Sequence, residues 1–209
     1  MVKHLLSCLA LALSAAGSAN TPLWLRDVQI SPSGAEIAFC YKGDIYKVPA
    51  GGGEARQLTT TPSYESNPVW SPDGKMIAFA SDRNGNFDLY LMPAEGGTAK
   101  RLTYNSANEI PSAFTPDGKE VLFSASLQDP ASSALFPSAA MTELYAAPVA
   151  GGRVRQVLGI PAEMVSFDKN GKRFLYQDRK GFEDEWRKHH TSSVTRDIWI
   201  YDMATGKHS

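Results

Sequence analysis

A short phrase recurs along this chain, and its spacing constrains the fold more than any other feature. Ser71-Pro72-Asp73-Gly74-Lys75-Met76-Ile77-Ala78-Phe79 is echoed by Ser31-Pro32-Ser33-Gly34-Ala35-Glu36-Ile37-Ala38-Phe39. A third copy runs Thr115-Pro116-Asp117-Gly118-Lys119-Glu120-Val121-Leu122-Phe123, and a degenerate fourth runs from Asp168 to Tyr176. A second phrase follows each copy: Asp44-Ile45-Tyr46, Asp88-Leu89-Tyr90, Glu143-Leu144-Tyr145 and Asp197-Ile198-Trp199. A glycine turn then follows, at Gly51-Gly52-Gly53, Gly96-Gly97, Gly151-Gly152 and Gly206. A fixed period of this kind means that one supersecondary unit is stacked several times.

Each unit reads as four short strands. In the second, Pro68–Ser71 is the innermost strand, Met76–Ser81 the next, Phe87–Pro93 the third and Thr98–Thr103 the outer one. Pro72-Asp73-Gly74 is a tight turn, because proline presets the backbone and glycine accepts a left-handed conformation. Gly118 and Gly171 hold the same place in later units, and Asp82 and Arg83 shape the next turn. Dense Pro and Gly punctuation excludes a helical repeat. Four strands in about 40 to 55 residues predict an all-β propeller of four-stranded antiparallel blades. The blades fall at 22–62, 63–106, 107–160 and 161–209. The fourth unit reads as stopping just after its third strand, so about four blades of a truncated larger propeller are expected. A four-bladed closure would need Leu23–Arg26 to complete the last blade.

Residues 1–19 differ from the rest. Lys3 and His4 precede an apolar stretch, Leu5–Ala16, too short to span a bilayer. Gly17-Ser18-Ala19 then supplies small residues, the pattern of a secretory signal peptide cut after Ala19. A buried N-terminal helix is the alternative. Removal of that segment leaves Cys40 as the one cysteine, so no internal disulfide is expected, and its setting between Phe39 and Tyr41 is that of a buried strand residue. The formal charge of −1 gives no basic excess for nucleic acid and no attraction to anionic membranes. No membrane span is expected after signal removal.

Two units carry insertions between their second and third strands, Gln128–Met141 and Lys180–Arg196. Long loops on a rigid scaffold are where binding concentrates. Phe136, Glu183, Trp186, Arg187, His189 and His190 are therefore the candidate contacts with a substrate or partner, against the plainer reading of loops that cover a neighbouring blade.

The run from Ser71-Pro72-Asp73-Gly74-Lys75 through Ser81-Asp82-Arg83-Asn84-Gly85 to Asp88-Leu89-Tyr90 and Gly96-Gly97 resembles the WD40-like repeat of TolB-type and tricorn-type propellers. Pro22-Leu23-Trp24-Leu25-Arg26, the segment Thr103–Glu109 and the second insertion are similar to the N-terminal propeller of secreted bacterial tricorn-like peptidases. The resemblance implies a periplasmic or secreted protein in which a PDZ module and an S41-type serine peptidase domain follow the propeller. The propeller itself would be non-catalytic, guiding polypeptide substrate or bracing the peptidase domains. A TolB-like scaffold for protein partners, without enzymatic activity, and the propeller of a prolyl-oligopeptidase-like hydrolase are the alternatives.

The chain carries little chemistry of its own. It has no Gly-x-Ser-x-Gly nucleophile elbow, and His189, His190 and His208 do not suggest a base set between nucleophile and acid. No catalytic residue is therefore expected. His189-His190 lies near Glu183, Asp184 and Glu185, but adjacent side chains on a strand point apart and the zinc-protease spacing is absent. Asp82–Asn86 mimics the start of a calcium loop, until Phe87 stands in the place of the turn glycine and Pro93 in that of the bidentate glutamate. No metal or cofactor is expected. Trp70, Phe79, Tyr90, Phe114, Phe123, Tyr145, Phe167, Tyr176 and Trp199 fall at equivalent repeat positions, which predicts packing between blades rather than a stacking platform.

Overall fold

The computed structural model describes residues 24–127, 142–178 and 197–209. These residues form sixteen strands in four antiparallel sheets, each built in simple up-and-down order. The first blade holds β1 (Arg26–Ile30), β2 (Glu36–Tyr41), β3 (Asp44–Pro49) and β4 (Arg56–Gln57). The second holds β5 (Glu65–Trp70), β6 (Met76–Ser81), β7 (Asp88–Pro93) and β8 (Lys100–Arg101). The third holds β9 (Ile110–Phe114), β10 (Glu120–Ala125), β11 (Glu143–Pro148) and β12 (Arg155–Pro161). The fourth holds β13 (Glu163–Phe167), β14 (Arg173–Gln177), β15 (Ile198–Asp202) and β16 (Lys207–His208). The expected propeller architecture is thus present, with no helix among the described residues.

One expectation about the last unit needs correction. The fourth blade has its outer strand, because Tyr201 pairs with His208 and Asp202 with Lys207. Asp202 makes this possible: its carboxylate caps the Ala204 and Thr205 amides and tightens the turn. Arg26, for its part, belongs to the first blade's own inner strand, paired with Cys40.

The inner strands are also longer than Pro68 suggested. β5 reaches back to Glu65 through a bulge between Ser66 and Val69. Asn67 takes a left-handed φ of 51° there, which lets pairing resume beyond the proline. Asp27 in β1 and Met164 in β13 hold the equivalent place with φ of 51° and 55°.

The core is three layers, one between each pair of neighbouring blades. Between the first and second, Ala38, Cys40 and Ile45 meet Trp70, Ile77, Phe79, Tyr90 and Met92. Between the second and third, Ala78, Leu89 and Leu91 meet Phe114, Val121, Phe123 and Tyr145. Leu122, Leu144 and Ala146 meet Val165, Phe174 and Tyr176 at the last. Small and aliphatic residues on one face receive large aromatics from the next blade, so the recurring aromatics are spent on packing. Burial pushes the Cys40 thiol up, with the Asp27 carboxylate adding to it, which makes the thiol unreactive.

The two outermost faces follow the same code but have no neighbouring blade among the described residues. Ile30 stands where Trp70 does in the second blade, yet it is 61% exposed against 9%. Ile198 and Ile200 in β15 occupy the positions of Leu89 and Leu91; they are 75% and 40% exposed where the latter are buried.

Candidate functional site

Up-and-down blades leave two rims of different character. One rim collects the turns between first and second strands and between third and fourth. Its turns, such as Ser31–Gly34, Ser71–Gly74 and Thr115–Gly118, close on i to i+3 backbone hydrogen bonds of 2.8–2.9 Å. They are short, glycine-bearing and without an aromatic residue. Asp73 accepts hydrogen bonds from Ser71 Oγ at 2.6 Å and the Lys75 amide at 3.1 Å. Asp117 repeats this with Thr115 and Lys119. These bonds to the charged form hold both carboxyls below the usual carboxylate range. Neighbouring turns touch: a Cβ on Gly118 would lie 3.7 Å from the Pro72 ring, and one on Gly171 would lie 2.6 Å from that of Pro116.

The opposite rim collects the turns between second and third strands and the links between blades. It is rich in aromatics: Tyr104 is 75% exposed and Tyr64 42%, with Tyr41 and Phe87 half-buried beside them. Tyr64 packs edge-on against Phe87 at 6.2 Å between centroids. The Arg101 guanidinium lies 4.6 Å from the Tyr104 ring, and Lys42 stands 5.3 Å from Tyr41. Asp82 anchors the link to the second blade by accepting the Tyr64 amide at 2.7 Å. The strands flanking residues 128–141 and 179–196 end at this same rim.

Just beneath it, carboxylates are buried at two blade junctions. Glu65, fully buried, opens β5 and donates its amide to the Gly43 carbonyl of the first blade at 2.7 Å. Its Oε1 accepts from Thr61, Ser63, Ser81 and Arg83 Nη2. Arg83 is thus more than a turn former: it crosses from the turn to Glu65 at 2.9 Å and covers the Tyr90 ring at 4.2 Å. Asp44, on the first blade, accepts hydrogen bonds from Gln57 and Thr59.

The next junction repeats the arrangement. Glu109, fully buried, donates its amide to Phe87 O at 2.8 Å and is hydrogen-bonded by Thr103 Oγ1. Asp88, also fully buried, pairs with Arg101 Nη2 at 2.7 Å. Burial raises the Asp88 carboxyl against the pull of Arg101. At the third junction Ala162 takes the buried glutamate's place and receives Ser124 Oγ at its carbonyl instead, at 2.8 Å.

These contacts brace neighbouring blades against one another, and the described residues hold no metal-binding cluster. Residues 22–209 match the profile of the tricorn protease N-terminal β-propeller domain. The chain belongs to that family. Among solved structures, the tricorn protease superposes with a TM-score of 0.70 at 24% identity, over 90% of this chain and 18% of that one. A TolB-type protein of Agrobacterium tumefaciens gives a TM-score of 0.66 at 25% identity, over 88% of this chain and 63% of that one. An uncharacterised peptidase of Bacillus subtilis, YuxL, is 45% identical over 56 residues, which are 24% of this chain and 8% of that protein. The chain therefore spans less than two thirds of these proteins.

Within this tricorn-type propeller, the sequence-predicted contacts Phe136, Glu183, Trp186, Arg187, His189 and His190 lie outside the described residues, as does the segment read as a signal peptide. Asp73, Gly74, Gly118 and Gly171 sit at the turn rim, and Asp82 and Arg83 at the other. Sequence reading missed Glu65 and Glu109, although a signal was present: each follows a Leu-Thr pair, and Glu109 lies six positions after Thr103.

Proposed function

We propose that this chain is the non-catalytic propeller portion of a larger secreted serine peptidase of the tricorn-like S41 type, and that polypeptide meets it at the aromatic rim. The observation that carries this reading is the difference between the two rims. One is closed by short glycine turns; the other exposes Tyr64 and Tyr104 and is where both insertions join their strands. Aromatic side chains with adjacent cations suit extended polypeptide, since they bury apolar side chains at little conformational cost and still reach backbone carbonyls. Residues Phe136, Trp186, Arg187, His189 and His190, with Glu183, would add to that surface. The uncovered apolar faces of the first and fourth blades support membership of a larger assembly. The peptidase chemistry would come from domains outside this chain, and the segment up to Ala19 would direct it to the bacterial envelope.

The test uses the native protein from the envelope fraction. The mass of the species carrying this propeller should be several times that of the chain alone, with peptidase activity on an unfolded substrate such as casein. Replacing Tyr64 and Tyr104 together by serine should weaken casein binding about tenfold, while Lys119→Ser on the turn rim leaves it unchanged. Equal effects from both rims would overturn the placement. A heavy species without peptidase activity would favour a TolB-like scaffold, the reading that the TolB superposition supports.

A further inference from the structure

At one blade junction beneath the aromatic rim the buried carboxylates outnumber the cations that face them among the described residues. At the first junction Glu65 is paired with Arg83 at 2.9 Å, and Asp44 is only half-buried. At the second junction Asp88 and Glu109 meet one guanidinium, Arg101. Thr103 and the Leu89 amide are the polar groups that reach Glu109. One oxygen of each glutamate, Glu65 Oε2 and Glu109 Oε1, is buried without a hydrogen-bond partner among the described residues. At the second junction, where two buried carboxyls share one guanidinium, taking up a proton removes both the surplus charge and the repulsion.

We propose that the second junction is a proton-held latch that keeps one proton on its pair of carboxyls, so that the second and third blades grip one another more tightly as pH falls from alkaline to acidic. The geometry explains why the proton goes there. Glu109 immediately precedes the inner strand β9 and binds the preceding blade through its amide, as Glu65 does at the start of β5, so its carboxyl sits on the seam between blades. Burial is the main force that raises the Glu109 carboxyl, to about 7; the Asp88 charge adds to it and the Thr103 hydrogen bond opposes it. At the first pair it is Asp44 that is raised, by burial first and also by Glu65, against the hydrogen bonds of Thr59 and Gln57. The third junction, with Ala162 in place of the glutamate, lacks the device and serves as an internal control.

The sign follows from linkage. A carboxyl raised in the folded state contributes stability at low pH, and that contribution disappears as pH rises through the folded-state value. For Glu109 this predicts a loss on the order of 50- to 100-fold in the folding equilibrium constant between pH 5 and pH 8.5. The experiment is urea unfolding of the full chain and its Glu109→Gln variant across that range. The expected result is a shallower pH dependence in the variant, which overtakes the parent above pH 8. An unchanged pH slope would overturn the proposal. The carboxyl carbon resonance of Glu109 in the unmodified chain gives a second reading that does not depend on the variant folding. A midpoint near 7 supports the latch; one at the ordinary glutamate value, about 4.3, overturns it.

Discussion

Gly171→Ala should destabilise this propeller far more than the same change at Gly34, and the difference measures how tightly the third and fourth blades interlock. Both glycines close equivalent turns, with amides 3.0 Å from Asp168 O and 2.9 Å from Ser31 O. Both are left-handed, at φ of 65° and 73°. Alanine at either site carries the left-handed penalty of ~1–2 kcal/mol, partly offset by a stiffer unfolded chain worth ~0.4–1 kcal/mol. A net cost of about 1 kcal/mol is left at each. Only Gly171 has a neighbour in the way: the new Cβ would stand 2.6 Å and 2.7 Å from two carbons of Pro116, whereas Gly34 has nothing within 4 Å. The proline ring cannot rotate aside, so the turns must part, at an overpacking cost of ~1–3 kcal/mol. Gly171→Ala should therefore lose ~2–4 kcal/mol and Gly34→Ala about 1, read by urea unfolding with unchanged m-value. A cycle with Pro116→Ala should recover the excess at Gly171 as coupling energy. Equal losses at the two glycines would refute the interlock.

Two further changes test the inner strands and the ion pairs between blades. Met164→Asn should raise stability by up to about 1 kcal/mol in thermal melting, because Met164 is 72% exposed, leaving little packing to lose, and its φ of 55° suits asparagine better than methionine. Lys47→Met should change stability by less than about 1 kcal/mol. Although Lys47 is buried and bridges Glu36 at 2.8 Å and Glu95 at 2.7 Å, Glu95 is mostly exposed and keeps Arg56, so water and that arginine take over.

The blades were legible in the sequence because their information is local. Pro72-Asp73-Gly74 specifies a turn within a few residues, and the unbroken apolar run Met76–Ala80 between turn signals specifies a strand that buries both faces. The inner-strand bulges were not legible, since Asp27, Asn67 and Met164 share a backbone conformation but no side-chain chemistry. The fourth blade's outer strand was missed because Lys207-His208 lacks the Leu-Thr signal that marks Gln57-Leu58-Thr59 and Arg101-Leu102-Thr103; the strand depends on the Asp202 cap rather than on any strand propensity of Lys207 and His208.

The buried carboxylates lie between these cases, and they show what a repeat reading overlooks. Asp44 and Asp88 read as members of a strand phrase, and Glu65 and Glu109 as polar residues in a linker. Neither reading pairs them, because the partners belong to different units. The pairing appears only when one blade is laid on the next, and the structural reason is that a propeller's core lies between its repeats rather than inside them. Ala162 at the third junction makes the same point from the other side. Ser124 Oγ bonds its carbonyl, so a neutral hydrogen bond closes that seam. Either solution keeps the inner strand seated, but only the carboxylate one makes the seam respond to protons.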